Sequence, residues 1–596
     1  MPTRRSLLAF EFVPQIRQRR RLLGLLAISC LIIASCTSSE STSDEETTTQ
    51  ATTTTQATTT TDLADEDEFT ADDDVELPDD DDEFTADDNV EFPTNAELLE
   101  RSSVDFDAPL RRGCDINGDG SADLVGASAL TDVLVFHGSI DGSTEVAQTE
   151  LFVKSNRRGE IVACGDVNGD GYDDLAVSLS SPVTGLYVYW GSTSGLDEEN
   201  QSPLTLQTAL GEVGAIALGD FNGDGYDDLA IGMPDDNGGE SEGSSISGAG
   251  SVTIVEGSSS GIPEFDWDSP NFDQGTPGVS GAPEFGDHFG RTLVSGDINQ
   301  DGYDDLIVGS PFEDIGRNRD AGMVTYLPGS ENGIRAAGHQ NWHQDTRVAG
   351  NSIKGTAETG DQFGAALAVG FFDDDDYLDI AVGSPGEDLE EFGGDHENDG
   401  LVHVIFGGSD GLTARDQTIH QGTSGIKGKP ETDNEFGRSL AAGDFNGDGI
   451  DDLAVGVPGE DLGSLRSAGV VQVLYASSGG FDEGADRIWH QGKEGVNGKV
   501  EPQDAFGWSL AAADYSGDGY DDLAIGVPFE DIGLVPSVGI IYVMSSTGND
   551  GLDTEGDVVL RMDRNSSRRG LPIHAFESVT FGRGLAGRAG WTTVSN

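Results

Sequence analysis

The sequence predicts an all-β fold built from seven repeats of a four-stranded antiparallel unit, and two repeated patterns lead to it. One is an acidic nine-residue loop, D-x-N-x-D-G-x-x-D, which begins at Asp115, Asp166, Asp220, Asp297, Asp444 and Asp514, with a damaged copy at Phe371. The other is an apolar strand ending in a Gly/Ser-rich turn, found once per repeat. Loops start 51 to 77 residues apart, which exceeds a β-helical coil and suits a four-stranded unit.

Each repeat is expected to follow one order, which repeat six illustrates. An inner strand over residues 439–443 precedes the loop at 444–452, and a second strand follows at 453–457. After a Pro-Gly-Glu-Asp surface turn come a third strand and a weaker fourth strand near Trp489-His490-Gln491. Alternating apolar segments bounded by Gly-rich turns are typical of such antiparallel sheets.

Two further markers keep a fixed position around the loop. Phe-Gly precedes it by about eight residues at Phe289, Phe363, Phe436 and Phe506, and a Pro-x-Glu-Asp turn follows the second strand at Pro311, Pro385, Pro458 and Pro528. This order resembles the FG-GAP repeats of integrin α-subunits over residues 107–562, and the resemblance implies a seven-bladed propeller. Repeats one and two lack Phe-Gly. The tail at 581–586 mimics the start of another repeat, so a relic, a ring-closing strand and an eighth blade all stay open.

The acidic loop is the candidate metal site. Calcium prefers six to eight oxygen ligands, and positions 1, 3 and 5 of a tight loop can direct side-chain oxygens inward. Gly at position 6 permits the bend, position 7 can offer its backbone carbonyl whatever its side chain, and the Asp at position 9 closes the cage. A strand follows where an EF-hand or dockerin loop would continue into a helix. The alternative is a set of Asx turns with solvated acids.

We therefore predict Ca²⁺ at about six loops, in a structural role. The expected ligands are Asp115, Asn117, Asp119, Ser121 and Asp123; Asp166, Asn168, Asp170, Tyr172 and Asp174; Asp220, Asn222, Asp224, Tyr226 and Asp228; Asp297, Asn299, Asp301, Tyr303 and Asp305; Asp373, Asp375 and Asp379; Asp444, Asn446, Asp448, Ile450 and Asp452; Asp514, Ser516, Asp518, Tyr520 and Asp522. Repeat five should be weak or empty, because Phe371 replaces the first Asp and Asp376 the bend Gly. Ser516 is a milder loss in repeat seven.

The N-terminal region reads as an export and anchoring segment. Residues 1–35 combine a basic stretch with a short apolar run and are predicted to be a signal peptide of the lipoprotein type, with Cys36 as the lipidated residue. An uncleaved anchor or an ordinary signal peptide is the alternative. Residues 36–103 are Thr/Ser-rich and then acidic, with 19 Asp or Glu and no Lys or Arg over 62–100, and predict a disordered linker. The propeller is assigned to 104–562, and 563–596 to a tail or ring-closing segment.

Two cysteines remain for the propeller. Cys114 and Cys164 each precede the first Asp of a loop, in consecutive repeats. A disulfide, which an exported protein permits, and two small buried thiols are both open.

Composition and repeated motifs argue against two classes of function, nucleic-acid binding and catalysis. The formal net charge of −77 argues against nucleic-acid binding, which needs a basic surface. The repeated His343, His420 and His490, and the repeated Glu-Asp pairs, indicate blade architecture, since an active site is usually single. No catalytic motif is found, and we expect no enzyme. The least repeated segments, 233–250 and 386–400, are candidates for ligand contact on the face opposite the loops, by the integrin-like resemblance.

The expected function is therefore that of an exported protein, lipid-anchored to the cell envelope or outer surface, that mediates adhesion or binds a protein or glycan. Two alternatives are kept. One is a non-catalytic propeller domain of, or accessory to, a secreted hydrolase, because FG-GAP-like repeats also accompany hydrolases. The other is a structural envelope protein. The sequence does not identify the ligand or the oligomeric state.

Overall fold

The structure is a computed structural model, and it describes residues 113–128, 133–138, 147–151, 158–180, 185–196, 201–204, 213–237, 240–241, 244–263, 269–348, 351–389, 397–493, 495–496, 498–531, 537, 539–548, 551–554, 558–560 and 581–586. The predicted signal peptide, Cys36 and the linker lie outside the described residues. In the described part every regular element is a β-strand, which confirms the all-β prediction. None of the described segments forms a helix of the length and apolarity that a membrane crossing requires.

The strands are numbered in chain order, and each blade takes the number of its acidic loop. Blades 1 to 3 contain β1 (Leu124–Ser128), β2 (Val133–His137), β3 (Ala147–Leu151); β4 (Arg158–Gly165), β5 (Asp174–Ser180), β6 (Gly185–Tyr189), β7 (Gln201–Leu204); β8 (Ala215–Gly219), β9 (Asp228–Met233), the hairpin β10 (Glu240–Ser241) and β11 (Ser244–Ser245), β12 (Ser251–Val255) and β13 (Asn271–Phe272).

Blades 4 to 7 follow the same plan. They contain β14 (Thr292–Gly296), β15 (Asp305–Ser310), β16 (Met323–Leu327), β17 (Gln340–Trp342), the hairpin β18 (Arg347–Val348) and β19 (Asn351–Ser352); β20 (Ala366–Gly370), β21 (Asp379–Ser384), β22 (Leu401–Ile405), β23 (Asp416–Ile419); β24 (Ser439–Gly443), β25 (Asp452–Val457), β26 (Val470–Ser477), β27 (Gly480–Trp489); β28 (Ser509–Ala513), β29 (Asp522–Val527), β30 (Ile540–Met544), β31 (Val558–Leu560); and finally β32 (Phe581–Ala586).

Six blades are complete antiparallel sheets whose four strands follow one another along the chain, apart from the hairpin inserted in blade 3. The remaining four-stranded sheet is composite, with the order β3-β2-β1-β32. The prediction of seven blades is therefore wrong in its count of complete blades: the described residues form six, and the first sheet uses a strand from 563–596, where a ring-closing strand was one of the alternatives. Blade 1 has no inner strand of its own among the described residues, and the C-terminal strand β32 supplies that position by pairing antiparallel with β1.

The inner strands contact one another in a closed cycle: β4, β8, β14, β20, β24, β28 and β32. In blades 2 to 7 the inner strand is short and runs directly into the acidic loop, so these loops lie at the same end of the blades. The turns between second and third strands consequently lie at the opposite end. Radial packing covers most strand edges, which protects them from pairing with other chains.

The Phe-Gly marker has a packing role at the junction between blades. Phe289, Phe363, Phe436 and Phe506 are all fully buried. The backbone of Phe363 pairs with Gly322, which directly precedes the third strand of the preceding blade. Gly322 has φ 88°, and a Cβ there would lie 2.3 Å from the Phe363 carbonyl oxygen, so only glycine permits this approach.

Candidate metal loops and ligand face

In blades 2 to 7 the acidic loops connect first and second strands, as predicted. In repeat six β24 ends at Gly443, the loop begins at Asp444, and β25 starts at Asp452. The glycine at position 6 has φ between 86° and 94° in Gly120, Gly171, Gly225, Gly302, Gly449 and Gly519. A Cβ at these positions would meet no atom within 4 Å, so the backbone conformation rather than lack of space requires glycine.

The carboxylate at position 1 holds the loop in its bend. In repeat six the Asp448 N–H donates to Asp444 Oδ1 at 3.1 Å, and the Gly449 N–H donates to Oδ2 at 2.9 Å. The Asp448 carboxylate in turn accepts the N–H of Ile450 at 3.0 Å. A carboxylate has about four acceptor sites, so these bonds leave further lone pairs for a cation.

The carboxylate at position 9 is completely buried in every repeat: Asp123, Asp174, Asp228, Asp305, Asp379, Asp452 and Asp522 are each 0% exposed. In repeat six, Asp452 accepts the Ala476 N–H at 2.9 Å and faces the Asn446 amide at 3.2 Å. Burial, and then the charges of Asp444 and Asp448, raise the pKa of Asp452 to about 8. A charged carboxylate in this place therefore favours a nearby positive charge.

The donor set of the loop suits a hard cation, because it consists only of carboxylate, amide and backbone oxygens. The side chains are not closed around a common point. In the described part of the chain no group of three or more His, Cys, Asp or Glu side chains is arranged to hold a metal ion. The residues thus fit calcium by chemistry and burial, and ion binding would require the carboxylates at positions 1 and 5 to turn inward.

Repeat five shows how a loop is completed when its first Asp is missing. The guanidinium of Arg415 forms an ion pair with Asp373, a carboxylate that is only 3% exposed, in the loop where Phe371 stands at position 1. Arg415 also lies over the Phe406 ring, 3.7 Å from its centroid, and donates to the Gly479 carbonyl. A fixed protein cation therefore occupies the side of the loop that faces Asp373.

Position 8, which the sequence analysis left without a role, connects neighbouring loops. The Asp521 carboxylate accepts the Asp444 N–H at 3.0 Å, and the Asp521 N–H donates to the Asp444 carbonyl. The same side-chain bond links Asp173 to Asp115, Asp227 to Asp166, Asp304 to Asp220 and Asp451 to Phe371. At the two other junctions position 8 is Leu378 or Ala122, which cannot make it. The sequence signal that could have revealed this role is the recurring Asp-Asp at positions 8 and 9.

The expectation that position 7 accepts any residue type is wrong for the loops that carry tyrosine there. A Cβ on Gly169 would lie 2.6 Å from the Tyr226 ring, and one on Gly447 only 2.2 Å from the Tyr520 ring. The tyrosine of one loop therefore packs on the glycine at position 4 of the preceding loop. The constraint comes from the neighbouring blade, which a single repeat does not reveal.

Repeats one and seven have individual features. In repeat one, His137 Nδ1 lies 3.0 Å from Asp123 Oδ2, and this hydrogen bond raises the pKa of His137. In repeat seven the N–H of Ser516 donates to Asp522 at 2.9 Å, so the backbone replaces part of what an Asn side chain does elsewhere. Immediately before loop one, Cys114 is disulfide-bonded to Cys164 of β4, with their Cα atoms 5.5 Å apart.

The repeated histidines have structural partners. The Nδ1 atoms of His343, His420 and His490 accept a backbone N–H from two residues further along the chain, at 3.0 to 3.2 Å. The aspartates of the Glu-Asp pairs behave similarly: Asp461 accepts the Ser467 N–H at 2.8 Å. Both observations agree with the expected role in blade architecture.

The face opposite the loops carries a groove between blades 6 and 7. It is lined by Asp433, Glu435, Pro458, Gly459, Ser467, Glu501, Pro502, Gln503, Asp504, Ala505, Trp508, Phe529, Asp531 and Ser537. Trp508 and Phe529 meet edge to face, with their ring centroids 5.7 Å apart. The groove therefore combines an aromatic pair with several carboxylates.

The groove does not coincide with the two segments predicted for ligand contact. The first, 233–250, forms the hairpin β10–β11, and the second, 386–400, falls partly outside the described residues, including Phe392 and His396. Trp508 was missed because its position, directly after Phe-Gly, is not aromatic in the other repeats. On the same face Phe285 is 83% exposed.

Two family models match the chain. The FG-GAP repeat matches residues 213–255, 289–327, 436–474 and 506–544, and the FG-GAP-like repeat matches 115–177 and 166–231. These matches include the acidic loops of repeats one to four, six and seven. The chain therefore contains FG-GAP repeats, and in the structure they form a β-propeller of four-stranded blades.

Similar proteins include two kinds of larger chain. Phosphatidylinositol-glycan-specific phospholipase D of Bos taurus is 34% identical over 171 residues, 28% of this chain and 19% of that protein. Integrin alpha-5 of Xenopus laevis is 30% identical over 254 residues, 41% of this chain and 20% of that protein. The chain thus spans about a fifth of the length of these relatives. Among solved structures the Dos1 propeller aligns over 75% of this chain and 85% of its own, at 11% identity and with a TM-score of 0.36.

Proposed function

We propose that this chain, whose FG-GAP repeats fold as a β-propeller, is a calcium-binding adhesion or recognition protein. It is exported and anchored to the cell envelope through a lipid on Cys36. The acidic loops bind Ca²⁺, which stabilises the propeller. The opposite face binds a protein or glycan ligand. Residues 36–103 act as a linker between the anchor and the propeller.

The observation that carries the calcium assignment is the ion pair of Arg415 with Asp373. The one loop that has lost its first Asp and its bend Gly contains a guanidinium beside a buried carboxylate. The six other loops keep their first carboxylate and a fully buried Asp at position 9, and in repeat one this Asp also lies beside His137. A divalent cation supplies there what Arg415 supplies in repeat five.

The calcium assignment is tested by titration calorimetry on the full chain, together with thermal melting with and without chelator. About six binding events are expected from the acidic loops, apart from any ion that binds elsewhere on the chain. Each ion that binds only the folded chain stabilises it by about 2.7 kcal/mol at a hundredfold excess over Kd, so chelation should lower the melting temperature strongly. Absence of binding, or an unchanged melting curve, would reduce the loops to Asx turns.

The binding role is supported by the groove at Trp508 and Phe529. Aromatic faces pack on apolar faces of sugars and side chains, and the surrounding carboxylates accept hydrogen bonds from hydroxyl or ammonium groups. Exposed Phe285 adds a second aromatic contact on this face. These groups suit a glycan or a basic protein segment better than an acidic one.

The binding role is tested on arrays of glycans and extracellular proteins with the calcium-loaded chain. Trp508→Ala should reduce binding of any hit at least tenfold, whereas Tyr303→Phe, a conservative change in a loop at the other end of the blades, should leave it unchanged. Equal effects of both substitutions would place the ligand elsewhere.

Loss of lipid labelling in Cys36→Ala tests the anchor.

A second candidate is favoured by the similarity to phosphatidylinositol-glycan-specific phospholipase D: a propeller that serves a secreted hydrolase. In that case the chain alone would not cleave a phosphatidylinositol-glycan substrate but would raise the activity of a co-expressed hydrolase. A gain in hydrolase activity that Trp508→Ala abolishes would favour this role over adhesion.

A further inference from the structure

At the end of the blades opposite the acidic loops, a second polar cluster recurs in four junctions. Each cluster joins a Gln after the outermost strand of one blade to an Asp or Asn before the Phe-Gly of the next blade, and to the Glu of its Pro-x-Glu-Asp turn. The four sets are Gln274, Asp287 and Glu313; Gln344, Asp361 and Glu387; Gln421, Asn434 and Glu460; Gln491, Asp504 and Glu530.

All members of the three clusters that contain Asp are buried, and so are Gln421 and Asn434 of the fourth. The glutamines are 1–3% exposed, the Asp and Asn side chains 1–2%, and Glu313, Glu387 and Glu530 9%, whereas Glu460 is half-buried. In every cluster the Gln Nε2 donates to the Glu Oε2, over 2.6 to 2.9 Å. This bond uses the donor end of the amide and leaves its Oε1 to accept a further bond.

The cluster with Asn434 is complete. Asn434 Nδ2 donates to Glu460 Oε2 at 2.7 Å and to Gln421 Oε1 at 2.8 Å, and it lies 3.3 Å from the Lys429 carbonyl oxygen. The amide nitrogen of Asn434 thus lies among three oxygens and donates one hydrogen bond to Glu460 and one to Gln421. Every acceptor named in this cluster has a positive partner.

The other three clusters have Asp in place of this Asn, and the donor is missing. Gln274 Oε1, Gln344 Oε1 and Gln491 Oε1 are buried without any hydrogen-bond partner among the described residues. In the same clusters Asp Oδ2 accepts the backbone N–H of the Glu three residues earlier, at 2.5 to 2.6 Å, which fixes the carboxylate in place.

The carboxylates of a cluster lie close enough to affect each other. Burial, and next the charge of Asp361, raise the pKa of Glu387 to about 8. Burial raises the pKa of Asp504 to about 7, and the charge of Glu530 adds to it. Each cluster thus holds two buried carboxylates and one unpartnered carbonyl oxygen, all of them acceptors.

Two requirements define what would complete such a cluster. It must neutralise up to two negative charges, and it must contact both the Glu and the Gln oxygens, as the Asn434 amino group does. One shared proton satisfies only one acceptor and leaves one charge. A divalent cation meets both requirements, and a site made only of carboxylate and carbonyl oxygens selects a hard ion such as Ca²⁺ or Mg²⁺.

We propose that Gln274–Asp287–Glu313, Gln344–Asp361–Glu387 and Gln491–Asp504–Glu530 are divalent-cation sites, and that the amide of Asn434 replaces the cation in the remaining cluster. Each ion links the outermost strand of one blade to two connections of the next. The sites are separate from the acidic loops, at the other end of the blades, and do not depend on the function proposed for the loops.

Metal content measured by plasma mass spectrometry, after equilibration of the full chain with Ca²⁺ or Mg²⁺, tests the proposal. The triple variant Asp287→Asn/Asp361→Asn/Asp504→Asn copies the natural Asn434 cluster and should bind three ions fewer than the native chain. The reverse change, Asn434→Asp, should bind one ion more. Asp461→Asn is the matched control, because it removes the same charge beside a cluster and should leave the count unchanged.

The outcomes separate this proposal from the loop assignment. If the loops bind no ion, the native chain still binds three ions and the triple variant none. An unchanged metal count in the triple variant overturns the proposal. If the count is unchanged and the variant only loses a pH dependence of its melting temperature, the native clusters hold a shared proton instead of a cation, which also overturns it. Should the triple variant not fold, the single change Asn434→Asp decides, since a count that does not rise by one overturns the proposal as well.

Discussion

Arg415 illustrates at the scale of one side chain what an acidic loop needs. Its guanidinium forms the ion pair with buried Asp373 and packs on the Phe406 ring, so its position is fixed from two sides. The residue lies about forty positions after the loop and belongs to no repeated pattern. Sequence reasoning predicted a weak or empty fifth site from the lost ligands but had no signal for the residue that replaces them.

We expect Arg415→Ala to lower the free energy of unfolding in chelator by about 2 kcal/mol, because it leaves a buried carboxylate without its charged partner. Added Ca²⁺ should recover part of this loss, since Asp373, Asp375 and Asp379 then face an open space. Urea unfolding with and without Ca²⁺ measures both effects. Arg335→Ala, an exposed arginine, is the control. A variant as stable as the native chain would mean that the ion pair contributes nothing.

His403 is the residue whose protonation should limit stability in acid. It is fully buried in β22 with its ring edge-to-face on Phe363, and neither ring nitrogen has a hydrogen-bond partner among the described residues. Burial lowers the pKa of His403 to about 3, against an ordinary 6.5. Between pH 6.5 and 3 the unfolded chain therefore binds a proton at this histidine that the folded chain does not bind. The free energy of unfolding consequently falls as the pH decreases from 6.5 towards 3.

Replacing His403 with Gln, the residue that Gln472 places at the same register in β26, should remove this contribution. The difference in unfolding free energy between variant and native chain should grow by up to about 1.4 kcal/mol per pH unit below 6.5. Urea unfolding at several pH values measures it. His339→Gln, at a half-buried position outside the core, should show no such trend, and parallel pH curves for His403→Gln would contradict the argument.

At the scale of elements, the position-8 carboxylates join one acidic loop to the next. Asp451 is 3% exposed, and its carboxylate accepts the Phe371 N–H at 2.8 Å while its own N–H donates to the Phe371 carbonyl. Asp451→Ala leaves a backbone donor unpaired and should cost about 1–3 kcal/mol of stability. Asp451→Asn, which keeps an acceptor oxygen, should cost less. Chemical denaturation compares them.

The exposed Asp374, in the loop that Asp451 contacts, provides the control for this series. Asp374→Ala removes the same charge without a bond to the neighbouring loop and should change stability by less than about 0.5 kcal/mol. A loss as large as that of Asp451→Ala would mean that total charge, rather than the inter-loop bond, determines the effect.

Most strands could be predicted from sequence, because loop, Phe-Gly and turn recur in a fixed order and each marks one element. The inner strand at 439–443 and the fourth strand ending at Trp489 lie where the pattern placed them. The contacts between repeats could not be predicted. Tyr520 packs on Gly447, and Asp521 bonds to Asp444, across blades that are some 75 residues apart in sequence, and a repeat read by itself contains neither partner.

At the scale of the whole molecule, the disulfide fixes the start of the described propeller. It joins the residue before loop one to the inner strand of blade 2, across 50 residues of sequence. Closing a loop of that length restricts the unfolded chain by about 4 kcal/mol in the chain-entropy account. Cys114→Ala/Cys164→Ala should therefore unfold at clearly lower urea concentration than the native chain, and a reducing agent should lower only the native midpoint.

The ring closes through a strand that the sequence left ambiguous. The tail resembles the beginning of another repeat because β32 occupies an inner-strand position, which in blades 2 to 7 is filled by the strand before the acidic loop. Sequence similarity identified the type of strand but not its partner. Pairing with β1, more than 450 residues earlier, is a property of the closed ring and depends on the inner strands that flank it.

Removal of 561–596 should accordingly open the ring, whereas removal of 587–596 should not. Without β32, the backbone of β1 from Val125 to Ser128 loses its partners, at a cost of about 2–4 kcal/mol for the ladder alone, and becomes an unpaired edge. We expect the longer truncation to melt earlier and to form oligomers in light scattering, because an exposed edge can pair with another chain. If it stayed monomeric with an unchanged melting temperature, β32 would be dispensable and six consecutive blades with a three-stranded first sheet would suffice.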